Sequence, residues 1–111
     1  MCRPSKVAVD WIVKGCHIHV NGVELAVRPD HRGGIVFKKV FRSVPPAVEA
    51  AALRAAVECL ADDGHRLRWI RDIERAMVFL RSESGQFAEL ARGRAGELKF
   101  LLVALRRFGV G

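Results

Sequence analysis

Gly15-Cys16-His17-Ile18-His19-Val20-Asn21-Gly22-Val23-Glu24-Leu25-Ala26-Val27-Arg28 is the stretch that decides how this chain folds. Asn21-Gly22 is the pair that suits a two-residue type I′ turn, because both residues tolerate positive φ. With those two as the loop, Val20 faces Val23, His19 faces Glu24, Ile18 faces Leu25 and His17 faces Ala26. Side chains on a strand alternate between faces. Cys16, Ile18, Val20, Val23, Leu25 and Val27 therefore form an apolar face, and His17, His19, Glu24 and Arg28 share the other. The pattern predicts a hairpin with one side for a core and one side for chemistry.

The pattern extends on both sides of the hairpin. Upstream, Val7, Val9, Trp11 and Val13 alternate and predict a first strand, which Lys14-Gly15 ends. Downstream, Pro29-Asp30-His31-Arg32-Gly33-Gly34 reads as a turn and Ile35 to Phe41 as a further strand. If Ile35 and Phe37 lie beside Leu25 and Val27, Lys38 falls opposite Glu24 on the histidine face. The adjacent Lys38-Lys39 leaves that register open by one residue, and a slip of one would exchange the faces.

After Arg42 to Pro46 the period changes from two to that of a helix. Ser43 can start a helix, with Pro45-Pro46 in its first turn. Ala47 to Ala61 carries Leu53, Ala56, Val57 and Leu60 at helical spacing and stops at Asp62-Asp63-Gly64. Arg66 to Arg81 carries Trp69, Ile70, Ile73, Met77 and Leu80 as its stripe. A third helix is predicted from Phe87 to Phe108, interrupted or kinked at Gly93 and Gly96, with Phe100 to Leu105 as a buried run. The expected fold is α+β: an N-terminal antiparallel sheet of three to four strands covered on its apolar face by about three C-terminal helices. Residues 1–111 make one domain, with a β part over 1–43 and a helical part over 44–111.

Charge is distributed unevenly between those parts. The chain of 111 residues has a net charge of +7. Residues 1–43 hold eight Lys or Arg against three Asp or Glu, whereas residues 44–111 hold eleven against nine. A one-sided basic surface favours anionic partners, nucleic acid first and an acidic protein second. No apolar run approaches the ~18–20 residues of a membrane span, and Met1 to Lys6 lacks the apolar core of a signal peptide. A cytoplasmic site of action is expected, with any crossing of a membrane left to a larger parent chain. Cys2, Cys16 and Cys59 are an odd count without metal-ligand spacing and read as reduced thiols, Cys16 and Cys59 buried.

Two histidines at i and i+2 on one strand face stand roughly 6–7 Å apart, a gap that holds a phosphate. Cleaving RNA through its 2′-hydroxyl needs a base, an acid for the leaving 5′-oxygen, and a cation for the charge on phosphorus. Imidazole suits both proton transfers, and Arg or Lys suits the third role. His17, His19, Glu24, Arg28 and Lys38 are the catalytic candidates, with Glu24 orienting His19 or acting as the base itself. Arg32, Lys39 and His31 are candidates for substrate contact. The set needs no cofactor. Zinc or another divalent metal on His17 and His19, with His31 or Glu24, is the alternative that would make the chain a metal-dependent hydrolase. A further alternative is a basic module that binds nucleic acid or protein and cuts nothing, its histidines merely solvated and His19–Glu24 an ordinary cross-strand pair. His65 at a helix start reads as structural. Trp11 and Trp69 sit on apolar stripes, so the open face has no aromatic platform for bases.

Trp11-Ile12-Val13 through Phe41, with His17-Ile18-His19-Val20, Gly22-Val23-Glu24, Arg28-Pro29-Asp30 and Gly34-Ile35-Val36-Phe37-Lys38, resembles C-terminal toxin domains of bacterial polymorphic toxin systems, the tips of contact-dependent and Rhs-type proteins. Ala91-Arg92-Gly93-Arg94-Ala95-Gly96-Glu97-Leu98 is similar in character. The resemblance implies a small nuclease, often one that cuts RNA, delivered within a larger chain and neutralised by a cognate, commonly acidic, immunity protein. Many such nucleases place helices before the sheet; here they follow it.

Overall fold

The hairpin folds in the register its turn dictates. In the computed structural model, which describes residues 16–40, 43–82, 89, 93 and 95–108, β1 (His17–Val20) and β2 (Val23–Pro29) pair antiparallel. His17 lies opposite Ala26, Ile18 opposite Leu25, His19 opposite Glu24 and Val20 opposite Val23. Asn21 and Gly22 have φ of 51° and 77°, the left-handed values a type I′ turn requires.

β3 (Ile35–Lys39) completes a three-stranded sheet in the order β1-β2-β3. Its register differs from the expected one by two residues: Lys38 lies opposite Ala26, not Glu24, and Phe37 opposite Val27. The cause is the turn. The Asp30 carboxylate accepts from the backbone N–H groups of Arg32 at 2.7 Å and Gly34 at 2.8 Å. Asp30 N–H donates to the Gly34 carbonyl at 3.0 Å. The loop is thereby confined to residues 30–34, and β2 runs on to Pro29, where the absent N–H does little harm at a strand end. A shift of two preserves facing, so Lys38 stays on the histidine side and Phe37 on the core side. Gly34 is close-fitted, since a Cβ there would stand 2.9 Å from Asp30 Oδ2. The predicted strand at Val7 to Val13 lies outside the described residues.

Three helices follow among the described residues: α1 (Pro46–Ala61), α2 (Asp63–Ser82) and α3 (Ala95–Arg107). Pro46 opens α1 where its ring costs no hydrogen bond. Asp62 ends α1 and starts α2: its N–H donates to the Glu58 and Cys59 carbonyls, and its carboxylate accepts from His65 N–H at 2.9 Å. One residue thus serves two helices. Gly93 lies in a turn and α3 starts just after it, at Ala95, so the expected break falls at Gly93, with Gly96 inside the helix's first turn. The predicted start at Phe87 falls outside the described residues.

The apolar face of the sheet meets the helices in a single core. Ile18, Leu25 and Val27 are fully buried, as are Ala52 and Ala56 of α1, Trp69 and Ile73 of α2, and Leu98, Leu101 and Leu105 of α3. Trp69 packs edge-on against Phe37, ring centroids 6.2 Å apart, as a core residue rather than a platform. Two sequence expectations fail here. Val57 is more than half exposed, because Ala52, Ala56, Cys59 and Leu60 supply the inner face of α1. Phe100 and Val103 also face outward from a run that had read as buried. Cys16 and Cys59 are both buried, as expected. Cys59 is disulfide-bonded, which corrects the reading of all three thiols as reduced; an odd count leaves room for one bond. No helix among the described residues is long and apolar enough to cross a membrane. The chain is an α+β protein with its sheet first and its helices after.

Candidate functional site

The strand pleat brings five candidate side chains to the face turned away from the helices. Reading across the sheet, one row holds His17, Ala26 and Lys38, and the next holds His19 and Glu24. Ala26 is the short residue between His17 and Lys38, so those two stand either side of a low point on the sheet. Arg28 lies one step further along β2, opposite Val36.

The carboxylate of Glu24 joins His17, not His19. His17 Nδ1 lies 2.8 Å from Glu24 Oε2, a diagonal contact between residues offset by two across the β1–β2 ladder. Diagonal neighbours are within reach of long side chains, and sheet twist brings one diagonal closer than the other. Both partners are largely covered, with 17% and 12% of their side-chain surface exposed. A carboxylate only accepts, so Nδ1 is the donor and the neutral ring keeps its lone pair on Nε2. His19, half-buried on the same face, makes no hydrogen bond with another described residue.

The cations divide into committed and uncommitted groups. Arg28 donates to Glu97 Oε1 of α3 at 2.8 Å, which ties the sheet to that helix. Lys39, opposite Leu25 and therefore on the helix side, pairs with Glu49 of α1 at 2.9 Å. It does not join the histidine face. Lys38 and Arg32 are exposed and pair with no carboxylate among the described residues. Arg28, Arg32, His31 and Lys38, with Pro29, Asp30 and Val36, line a groove of about 480 Å³. The backbone N–H groups of Gly34 and Arg32 hold the Asp30 carboxyl below its ordinary value, helped by the neighbouring His31 and Arg32. Asp30 is thus an anion in this groove, already engaged by its own turn.

His31 lies in the β2–β3 turn, away from the His17–Glu24 couple. No three His, Cys, Asp or Glu side chains among the described residues come together as a metal site would require. The zinc alternative on His17, His19 and His31 or Glu24 therefore lacks its cluster. His65 caps α2 through Asp62, with Nδ1 at 2.6 Å from the same carboxylate, and is structural as the sequence suggested.

A second depression escaped the sequence reading. It measures about 600 Å³ and is lined by Pro29, Asp30, His31 and Gly33 of the β2–β3 turn and by Phe100, Val103, Ala104 and Arg107 of α3. The available signal was the heptad-like spacing of Leu98, Leu101, Leu102 and Leu105, which already fills the inner face and leaves Phe100 and Val103 outside it. No family model, curated protein or solved structure matches the chain.

Proposed function

We propose that this chain is a small metal-independent ribonuclease working on the outward face of its sheet. The observation that supports the reading is the His17–Glu24 couple, at 2.8 Å, on the same face as His19 and Lys38. Glu24 fixes the His17 ring so that Nε2 carries the lone pair, the arrangement a general base needs. His17 takes the proton of the 2′-hydroxyl, and the 2′-oxygen attacks phosphorus. His19 gives a proton to the departing 5′-oxygen. A 2′,3′-cyclic phosphate and a free 5′-hydroxyl result. Lys38, across Ala26 from His17, offsets the charge that grows on the phosphoryl oxygens. Arg28 is held by Glu97 and serves chiefly to fix the sheet against α3; Arg32 and His31 contact phosphates in the neighbouring groove. The substrate class follows from the basic β half. In the toxin setting the sequence resembles, the chain acts in the cytosol of a target cell after delivery within a larger protein, and an acidic immunity protein covers the same basic face.

The test is cleavage of total RNA by the purified chain, with and without EDTA. Activity should survive EDTA and fall at least a hundredfold in His17→Ala and His19→Ala, both retaining the wild-type circular dichroism. Loss of activity in EDTA, or full activity in both variants, would reject the mechanism. A binding module that cuts nothing is the second reading. It is favoured by the groove of Arg28, His31, Arg32 and Lys38, whose cations need no catalysis to hold a polyanion. Tight RNA binding with no cleavage by the folded chain selects it.

A further inference from the structure

Phe100 is the most exposed large apolar side chain among the described residues, at 70%, and Val103 on the next turn of α3 is 45% exposed. Neither has a packing role. They line the depression between α3 and the β2–β3 turn together with Arg107 and His31. Pro29, Asp30 and His31 line both this depression and the cationic groove on the other side of the turn. Aromatic and aliphatic surface therefore continues directly from a surface that suits phosphates. Cations are placed on both sides of the junction: Arg32 and Lys38 at the groove, Arg107 at the depression.

We infer that this surface is the path of a single-stranded RNA, with the phosphates following Lys38, Arg32 and Arg107 around the β2–β3 turn and one unstacked base resting on Phe100. The inference rests on the reading that the substrate is RNA, but not on cleavage. A base has an apolar face for Phe100 to stack against, and its chain carries an anion at every step for the flanking cations. A duplex keeps its bases stacked on one another and offers no such face. An acidic protein would also match the charge, yet one protruding ring with a single valine beside it is a small apolar contact for a protein interface. Phe100 thus supplies the aromatic platform that the histidine face lacks.

The closing experiment measures fluorescence anisotropy of labelled 2′-O-methyl oligouridine, which cannot be cut through its 2′-oxygen, and of a duplex of equal length. The whole chain should bind the single strand more tightly than the duplex. Phe100→Ala should weaken single-strand binding about tenfold and leave duplex binding unchanged, and Phe100→Trp should restore it. Circular dichroism verifies that each variant is folded. Single-strand binding unchanged in Phe100→Ala but weakened in Arg32→Ala overturns the platform and leaves RNA as the substrate class. If the folded wild type binds no oligonucleotide, the RNA reading and the platform fall together. Binding of polyglutamate instead, sensitive to Phe100→Ala, would assign the surface to an acidic protein.

Discussion

At the scale of single residues, diagonal contacts between positions offset by two across the ladder decide which groups cooperate. The ladder places His19 directly opposite Glu24, yet Glu24 bonds His17 on the diagonal. Alternation reveals which side chains share a face, but twist and side-chain length decide which neighbours meet. The sequence therefore identified the members of the histidine face and mispaired them. Asp62 shows a residue whose role follows from chemistry alone. The backbone N–H of His65, and then its ring, hold the Asp62 carboxyl below its ordinary value of 3.8. A group with a depressed folded value stabilises the fold above its unfolded value, and that contribution disappears as pH falls through the folded one. Asp62→Ala should accordingly lower Tm by about 5 °C at neutral pH. The gap from wild type should narrow progressively below about pH 4. Asp62→Asn keeps an acceptor for His65 N–H and should recover most of the loss, without that pH dependence. Thermal melts of the three proteins from pH 2.5 to pH 7 test this, and a gap of constant size would mean the carboxylate charge is not what stabilises the cap.

Elements are set by pattern, and their fine placement by contacts that patterns do not carry. On α3, Leu98, Leu101, Leu102 and Leu105 recur at three- and four-residue intervals and face the core, while Phe100 and Val103 face out. Leu101→Ala should cost about 2–5 kcal/mol, the range for emptying a close-packed aliphatic site, whereas Phe100→Ala should cost under about 1 kcal/mol because an exposed ring loses little burial. Urea denaturation of both variants separates the cases; similar losses would mean that Phe100 packs. The hairpin was legible to the residue because Asn21-Gly22 admits one short turn and the flanking alternation agrees with it. β3 was legible only in its facing. Its register depended on Asp30 gathering two backbone N–H groups, which confined the loop to residues 30–34, let β2 run on to Pro29 and moved the pairing by two residues. The outward side of α3 was missed for a different reason: the continuous apolar run from Phe100 to Leu105 concealed a period of 3.6.

Across the whole molecule, ion pairs and open cations are arranged around the junction of sheet and helices, and their division has a measurable consequence. Arg28–Glu97 and Lys39–Glu49 join β2 to α3 and β3 to α1. Both are partly exposed, so each adds at most about 1 kcal/mol to stability. Their larger effect is to withdraw two cations from any polyanion. Arg32, Lys38 and Arg107 remain along the surface shared by the groove and the depression. Each phosphate neutralised on a single strand contributes about −0.7 to the slope of log K against log salt concentration. Wild-type binding of 2′-O-methyl oligouridine should therefore fall with a slope of about −2, and Arg32→Ala, Lys38→Ala and Arg107→Ala should each reduce its magnitude by about 0.7. Arg28→Ala should change it little. Glu97→Gln, by contrast, releases Arg28 into the groove it already lines and should steepen the slope towards about −3 while tightening binding at low salt. An unchanged slope in Glu97→Gln would mean that Arg28 already contacts phosphate in the wild type, with Glu97 yielding it on binding. A slope near zero in every variant would mean that the basic surface does not bind through charge at all.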